Sequence, residues 1–160
     1  MSATHQFSES NLVGEVVMDG ITNLNFGSAD DHDLNTTTYP ITRGNASFEK
    51  YIRCLFGGTG WTEISNMKFW RSDVLGYKTG ETLKAAANVA FATPSATPNA
   101  DSDIPLSESA PALAIQSAAG TTTITAPGYT KYIRLQLQTT GSTPSGSVFQ
   151  KTLCFQYDEV

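Results

Sequence analysis

Two short strings carry residue types used for nucleophilic acyl transfer. Ser47-Phe48-Glu49-Lys50 fits S-x-x-K, which pairs a serine nucleophile with a lysine, and Lys78-Thr79-Gly80 fits K-T-G. That chemistry needs the serine at the start of a helix in a much larger α/β domain. Here Ser47 leads an apolar run with strand character in a chain of 160 residues, so both strings read as chance. Gly57-Gly58-Thr59-Gly60 has the glycine density of a phosphate loop. A phosphate loop continues into Lys-Ser/Thr and a helix, whereas Trp61 and Thr62 follow here; a glycine hairpin turn between Phe56 and Ile64 is expected instead. Asp30, Asp31, His32 and Asp33 offer oxygen donors for a hard cation. They lack the alternating ligands and central glycine of a calcium loop, which points to a solvated loop.

The remaining reactive residues are few and scattered. The histidines are His5 and His32, and the cysteines are Cys54 and Cys154, too far apart in sequence to suggest a zinc site. Both cysteines lie in apolar runs, as small buried hydrophobes do; a disulfide between neighbouring strands is the alternative. There is no G-x-S-x-G, and most carboxylates lie in polar loops. No nucleophile–base pair, cofactor motif or metal constellation emerges, and a non-enzymatic protein is expected. Asn35-Thr36-Thr37 and Asn45-Ala46-Ser47 fit the glycosylation acceptor. Met1 to Asn11 has neither a basic nor an apolar signal region, so synthesis in a cytosol is expected and the two acceptors read as coincidence.

The elements that must position these residues are strands. Apolar residues make up 39% and charged residues only 16%, with Thr, Ser, Gly and Asn filling the difference; eight Phe, six Tyr and two Trp can anchor a core. A net charge of −5 argues against a free nucleic-acid binder, and no stretch approaches 18 apolar residues, so no membrane span is expected. Tyr132 to Gln138 alternates strictly: Ile133, Leu135 and Leu137 point one way, Arg134, Gln136 and Gln138 the other. After the Thr/Ser/Gly-rich stretch Thr139 to Ser147, Phe149 to Tyr157 alternates again with Phe149, Leu153, Phe155 and Tyr157 in phase. Lys151 interrupts that face near its start, where its side chain can reach water. The two runs read as an antiparallel hairpin that closes the domain.

Earlier runs follow the same rule. Leu83 to Phe91 puts Leu83, Ala85, Ala87, Val89 and Phe91 on one face. Ser47 to Phe56 puts Phe48, Ile52, Cys54 and Phe56 on one face and Tyr51 and Leu55 on the other, as in a strand covered on both sides. Ile64 is out of phase with Met67 and Phe69, which a bulge near Asn66 reconciles. Asn23 to Phe26 reads as a further short strand. Two segments look irregular: Met1 to Asn11, a candidate N-terminal arm, and Thr93 to Pro111, which holds four of the seven prolines. Both are expected to be mobile in an isolated chain and ordered by partners. The sum is one domain over residues 1–160: an all-β antiparallel sandwich, Ig-like or jelly-roll-like, with long loops.

The strings Asn23-Leu24-Asn25-Phe26-Gly27-Ser28, Pro40 to Arg53, Ile64 to Trp70, Tyr132 to Gln138 and Lys151 to Glu159, in this order, cover most of the chain. Their succession resembles small virion structural proteins of tailed bacteriophages, among them capsid decoration (cement) proteins. The resemblance implies a β-sandwich located in the virion and made in the host cytoplasm, with no catalytic residues, cofactor or direct nucleic-acid contact. Its implied partners are the major capsid protein or other virion subunits and further copies of itself, for example as a trimer at three-fold positions. A neck or tail component and a host-glycan-binding sandwich, with Trp61, Trp70, Tyr77 and Tyr39 available to stack on sugar, are the alternatives. Candidate interface residues are Phe7 in the arm, Pro94 and Pro98 in the proline-rich loop, and the rings of Trp61, Trp70 and Tyr77.

Overall fold

The computed structural model describes residues 2–72, 76–108, 111–146 and 150–160. In chain order the strands are β1 (Thr4–Asn11), β2 (Val16–Ile21), β3 (Lys50–Gly57), β4 (Ile64–Ser72), β5 (Glu81–Val89), β6 (Ser102–Asp103), β7 (Leu113–Ala114), β8 (Gly128–Tyr129), β9 (Tyr132–Thr139) and β10 (Thr152–Glu159), and no helix occurs among the described residues. A seven-stranded sheet runs β2-β1-β3-β9-β5-β6, with β8 also paired to β3; a three-stranded sheet runs β10-β4-β7. All pairings are antiparallel.

The core lies between the sheets. Ile52, Cys54 and Phe56 of β3, Leu83 and Ala85 of β5, and Ile133, Leu135 and Leu137 of β9 meet Met67 and Phe69 of β4, with Leu153, Phe155 and Tyr157 of β10 packed alongside. Ring contacts cross the gap: Phe7 meets Phe155 edge-on at 5.4 Å, and Phe56 meets Tyr157 at 4.9 Å. This is the all-β sandwich that the alternation predicts. Cys54 and Cys154 are both free; burial pushes the Cys54 thiol up to about 12.

The bulge expected near Asn66 is present. Asn66 has φ +50°, and the β4–β10 register shifts opposite it, so that Ile64, Met67 and Phe69 all reach the interior. A second bulge overturns the single face expected for Leu83 to Phe91. Asn88 takes φ +61°, Ala87 pairs with Ile133 but Val89 with Tyr132, and Phe91 stacks on Tyr51 and Tyr132 on the opposite side of the sheet. The Asn88 side chain pays back the kink by bonding the Ala114 carbonyl and the Gln116 N–H.

Other expectations are corrected by pairing. β9 and β10 do not form a hairpin, because β9 lies between β3 and β5 while β10 joins β4 in the other sheet. Phe149 lies outside the described residues. Lys151 does not reach for water: its ammonium lies 3.3 Å from Glu81, and the two side chains are 9% and 0% exposed. Asn23 to Phe26 is irregular, with Leu24 and Phe26 packed against the core. The glycine-rich stretch after β3 is a crossover between sheets rather than a hairpin turn. Gly58 there has φ +82° and passes so close to Ser2 and Thr4 that a Cβ would lie 3.2 Å from their backbone atoms.

Within the described residues, the two segments expected to need partners are held by the chain itself; residues 1, 109 and 110 lie outside them. Thr4–Asn11 is β1, an interior strand with Ser8, Glu9, Ser10 and Asn11 buried. It is not an arm. The stretch from Thr93 onward lies over the outer face of the large sheet, where β9 presents Arg134, Gln136 and Gln138. Gln136 is fully buried, and its amide donates to the carbonyls of Ser47, Ser95 and Thr97. Arg134 forks onto Asp101 at 2.6 and 2.9 Å, and Glu49 accepts from Asn99. A polar sheet face thus satisfies a polar loop, and ordering entropy is offset within one molecule.

Candidate functional site

At the outer edge of the large sheet, β1 turns into β2 through Leu12-Val13-Gly14-Glu15. Leu12, Gly14 and Glu15 have φ of +64°, +87° and +61°. Two side-chain-bearing residues in the left-handed region are costly, and persist only where neighbours over-determine them. Asp30 supplies one clamp: its carboxylate accepts from Asn11 Nδ2 at 2.9 Å and from the Leu12 N–H at 2.8 Å. Glu15 supplies the other. It accepts from Tyr132 Oη and from Ser10 Oγ, with Arg53 Nη2 at 3.7 Å. Arg53 in turn lies over the rings of Tyr129 and Tyr132 at 3.9 and 4.7 Å. Burial, and then the bond to Glu15, push the Tyr132 phenol up to about 12.

Beneath the hairpin lies a buried ion pair. Lys50 Nζ donates to Glu9 Oε1 and to the Asp31 carbonyl, both at 2.6 Å, and the Lys50 and Glu9 side chains are 1% and 3% exposed. His32 reaches the Val16 carbonyl through Nε2 at 3.1 Å, with Nδ1 4.0 Å from Glu9. The acidic stretch Asp30 to Asp33 is therefore not a merely solvated loop. Asp30, Asp31 and His32 fasten the hairpin to β3.

What this clamped hairpin presents is apolar. Val13 at the tip is 83% exposed, and Leu12, Val16, Val17 and Met18 are 39–47% exposed. Val16 and Met18 pair with Asn11 and Glu9 on the core-side face, and Val17 pairs with Ser10 on the other. Both faces of the edge strand thus carry apolar side chains, and β2 has no strand on its outer side among the described residues. Beside Met18 a hollow of about 220 Å³ opens between Glu9, Ile21, Thr22, Asn23 and Asp33. Its deep carboxylate, Glu9, is already held by Lys50, so the hollow adds room beside the edge rather than a charged receptor.

The candidate interface residues are not gathered in one place. Phe7 is packed against Phe155, and Pro94 is buried. Half-buried Trp61 donates to the Gly57 carbonyl, and half-buried Trp70 sits opposite Cys154 on β4. Tyr77 lies against the cations of Arg71 and Lys151. Pro98 is exposed, as is Tyr39. The exposed apolar cluster lies instead in Leu12 to Met18. Its signal was present as Val16-Val17-Met18, two β-branched residues and a methionine just after Gly14-Glu15, the composition of a strand leaving a turn.

No family model, no curated protein and no solved structure matches the chain. No helix among the described residues is long and apolar enough to cross a membrane.

Proposed function

We propose that this chain is a non-enzymatic structural subunit of a larger assembly and docks through the β1–β2 hairpin. The observation that carries the reading is the hairpin itself: five exposed apolar side chains on an open sheet edge, held in a costly turn conformation by Asp30 and by Glu15, Tyr132 and Arg53. A preorganised apolar tip loses little conformational entropy on binding, which is how a small contact gains affinity. Exposed apolar side chains gathered on one short hairpin are the mark of an interaction site.

The resemblance of the strand segments favours one assembly, the tailed-bacteriophage particle, with the chain as a decoration (cement) protein on the head. The mechanism is mechanical. A subunit that binds only the assembled lattice stabilises that state by mass action, and many copies on one lattice act together through effective concentration. The sandwich supplies a stiff body for this work, with the loop after Thr93 bonded to its outer face.

The test uses purified particles of the bacteriophage whose genome encodes the chain. Quantitative mass spectrometry of purified particles should find hundreds of copies, and Val13→Asp should lower occupancy severalfold without changing the thermal midpoint of the isolated protein. A dozen copies or fewer would place the chain in a neck or tail instead. Absence from purified particles, or full occupancy by the variant, would overturn the proposal.

A further inference from the structure

Asp19-Gly20 is the one place in the chain where an aspartate or asparagine precedes a glycine. The pairing matters because the next residue's nitrogen can close onto the side-chain carboxyl, and glycine has no Cβ to obstruct it. The dipeptide falls at the irregularity of the β1–β2 pairing. Asp19 stands opposite Ser8 and Ile21 opposite Phe7, so Gly20 is the extra residue and faces none of β1. Gly20 has φ +73°, and a Cβ built on it would meet nothing within 4 Å. Both residues are exposed, on the outer strand of the large sheet. Ser8 is fully buried, and its hydroxyl donates to Asp19 Oδ1 at 2.5 Å.

We infer that Asp19-Gly20 is a self-modification site, at which the unassembled chain converts Asp19 to isoaspartate without an enzyme. The Gly20 nitrogen attacks Asp19 Cγ. The N–Cγ bond forms, the Cγ–Oδ2 bond breaks, and Oδ2 leaves as water with the amide proton and one proton from solvent. Water then opens the five-membered imide. Opening at Cγ restores aspartate; opening at the former main-chain carbonyl leaves Gly20 joined through Cγ, as isoaspartate. The product has the composition of the starting chain, and nothing is oxidised or reduced. Ser8 supplies the oxyanion donor. The carboxylate shares its charge over two oxygens, whereas the tetrahedral intermediate concentrates it on one, so a hydroxyl already fixed on Oδ1 favours the intermediate over the ground state.

The product reroutes the main chain through Cβ. One backbone atom is added at residue 19, and the Asp19 main-chain carbonyl becomes a free carboxylate. Among the described residues β2 pairs with β1 alone, so no second strand holds it in register. The turn stays clamped by Asp30 and Glu15, but the pairing beyond Met18 is lost. A chain that waits unassembled thus loses its docking strand with age. The chemistry stands apart from the docking reading; the loss of docking rests on it.

The experiment is incubation of the purified full chain at neutral pH and body temperature, then trypsin digestion and electron-transfer fragmentation of the peptide Met1 to Arg43. Isoaspartate should accumulate at residue 19 and not at Asp30, Asp31 or Asp33 of the same peptide, each of which precedes a residue with a Cβ. Ser8→Ala should slow the conversion severalfold in the folded chain and leave it unchanged in urea, where the contact with Asp19 is absent. Asp19→Asn, whose carboxamide carries no charge to repel the nucleophile, should react faster, with loss of ammonia. Far-ultraviolet circular dichroism confirms that each variant is folded. Aspartate that persists at residue 19 in the folded chain while the chain in urea converts would overturn the inference, as would an equal or faster rate in folded Ser8→Ala. Aged wild type should also exchange amide hydrogens faster over residues 16–21 and occupy particles less. Faster exchange with full occupancy would keep the modification and refute the docking reading, and unchanged exchange would refute the loss of the strand.

Discussion

Replacing Lys50 by Met tests what holds the hairpin down. The change keeps side-chain length and removes the ammonium that Glu9 Oε1 and the Asp31 carbonyl share at 2.6 Å. Glu9 would keep a carboxylate that is 3% exposed, with His32 Nδ1 4.0 Å away as its remaining neighbour in this cluster. Breaking a buried ion pair from one side costs about 3–5 kcal/mol, since the surviving charge stays desolvated and unpaired. For a chain of this length that lowers the midpoint by about 6–20 °C. The double variant Glu9→Gln/Lys50→Met should recover most of the loss, because a neutral amide is far cheaper to bury than a charge. Urea unfolding of wild type, both single variants and the double variant closes the cycle and yields the coupling energy. A loss under about 1 kcal/mol for Lys50→Met would refute the account, by showing that the ammonium is effectively solvated.

Four further outcomes follow from the same contacts. Leu135→Ala, at a fully buried position between the sheets, should cost about 2–5 kcal/mol in urea unfolding, and a midpoint equal to wild type would show a site that collapses freely. Deleting residues 2–11 should abolish the cooperative thermal transition, because β1 bridges β2 and β3; an unchanged melt would show that the strand is dispensable. Gln136→Ala should leave the Thr97 carbonyl without its donor and the Ser95 carbonyl with the Glu49 N–H alone, and hydrogen exchange should quicken in residues 92–101 ahead of the rest. Stability should fall as pH rises from about 9 to about 12: folding raises the pKa of Cys54 and of Tyr132, so the folded state holds protons that the unfolded state releases first. Urea midpoints measured between pH 8 and pH 11 check this, and a flat profile would contradict it.

Much of the fold was legible because alternation reports burial directly. Ile133, Leu135 and Leu137 share a face in the sequence and reach the core in the structure. The Asn66 bulge could be read because Ile64 falls out of phase with Met67 and Phe69. The Asn88 bulge could not, because Ala85, Ala87, Val89 and Phe91 keep an unbroken period while the backbone shifts beneath them. Alternation also says nothing about partners. Tyr132 to Gln138 and the run ending at Tyr157 look like neighbours, yet they belong to different sheets.

The elements that escaped notice share one physical cause. Where this chain buries polar groups, the hydrophobic pattern does not report the burial. β1 hides Ser8, Glu9, Ser10 and Asn11, Lys50 stands in a core-side position, and Gln136 is sealed beneath a loop. Each is held by a specific partner distant in sequence: Glu9 by Lys50, the Asn11 Nδ2 by Asp30, and the Gln136 amide by three carbonyls. Such pairings become visible only once the sheet brings its strands together. The hairpin shows the inverse pattern, apolar residues where water would be expected, and there the chain has used its buried polar network as an anchor. Asp30, Lys50, Glu9 and Tyr132 hold from below a strand that pairs with no further strand on its outer side among the described residues. Anchoring below and apolarity above are what the proposed docking element requires, and in this molecule they meet over Leu12 to Met18.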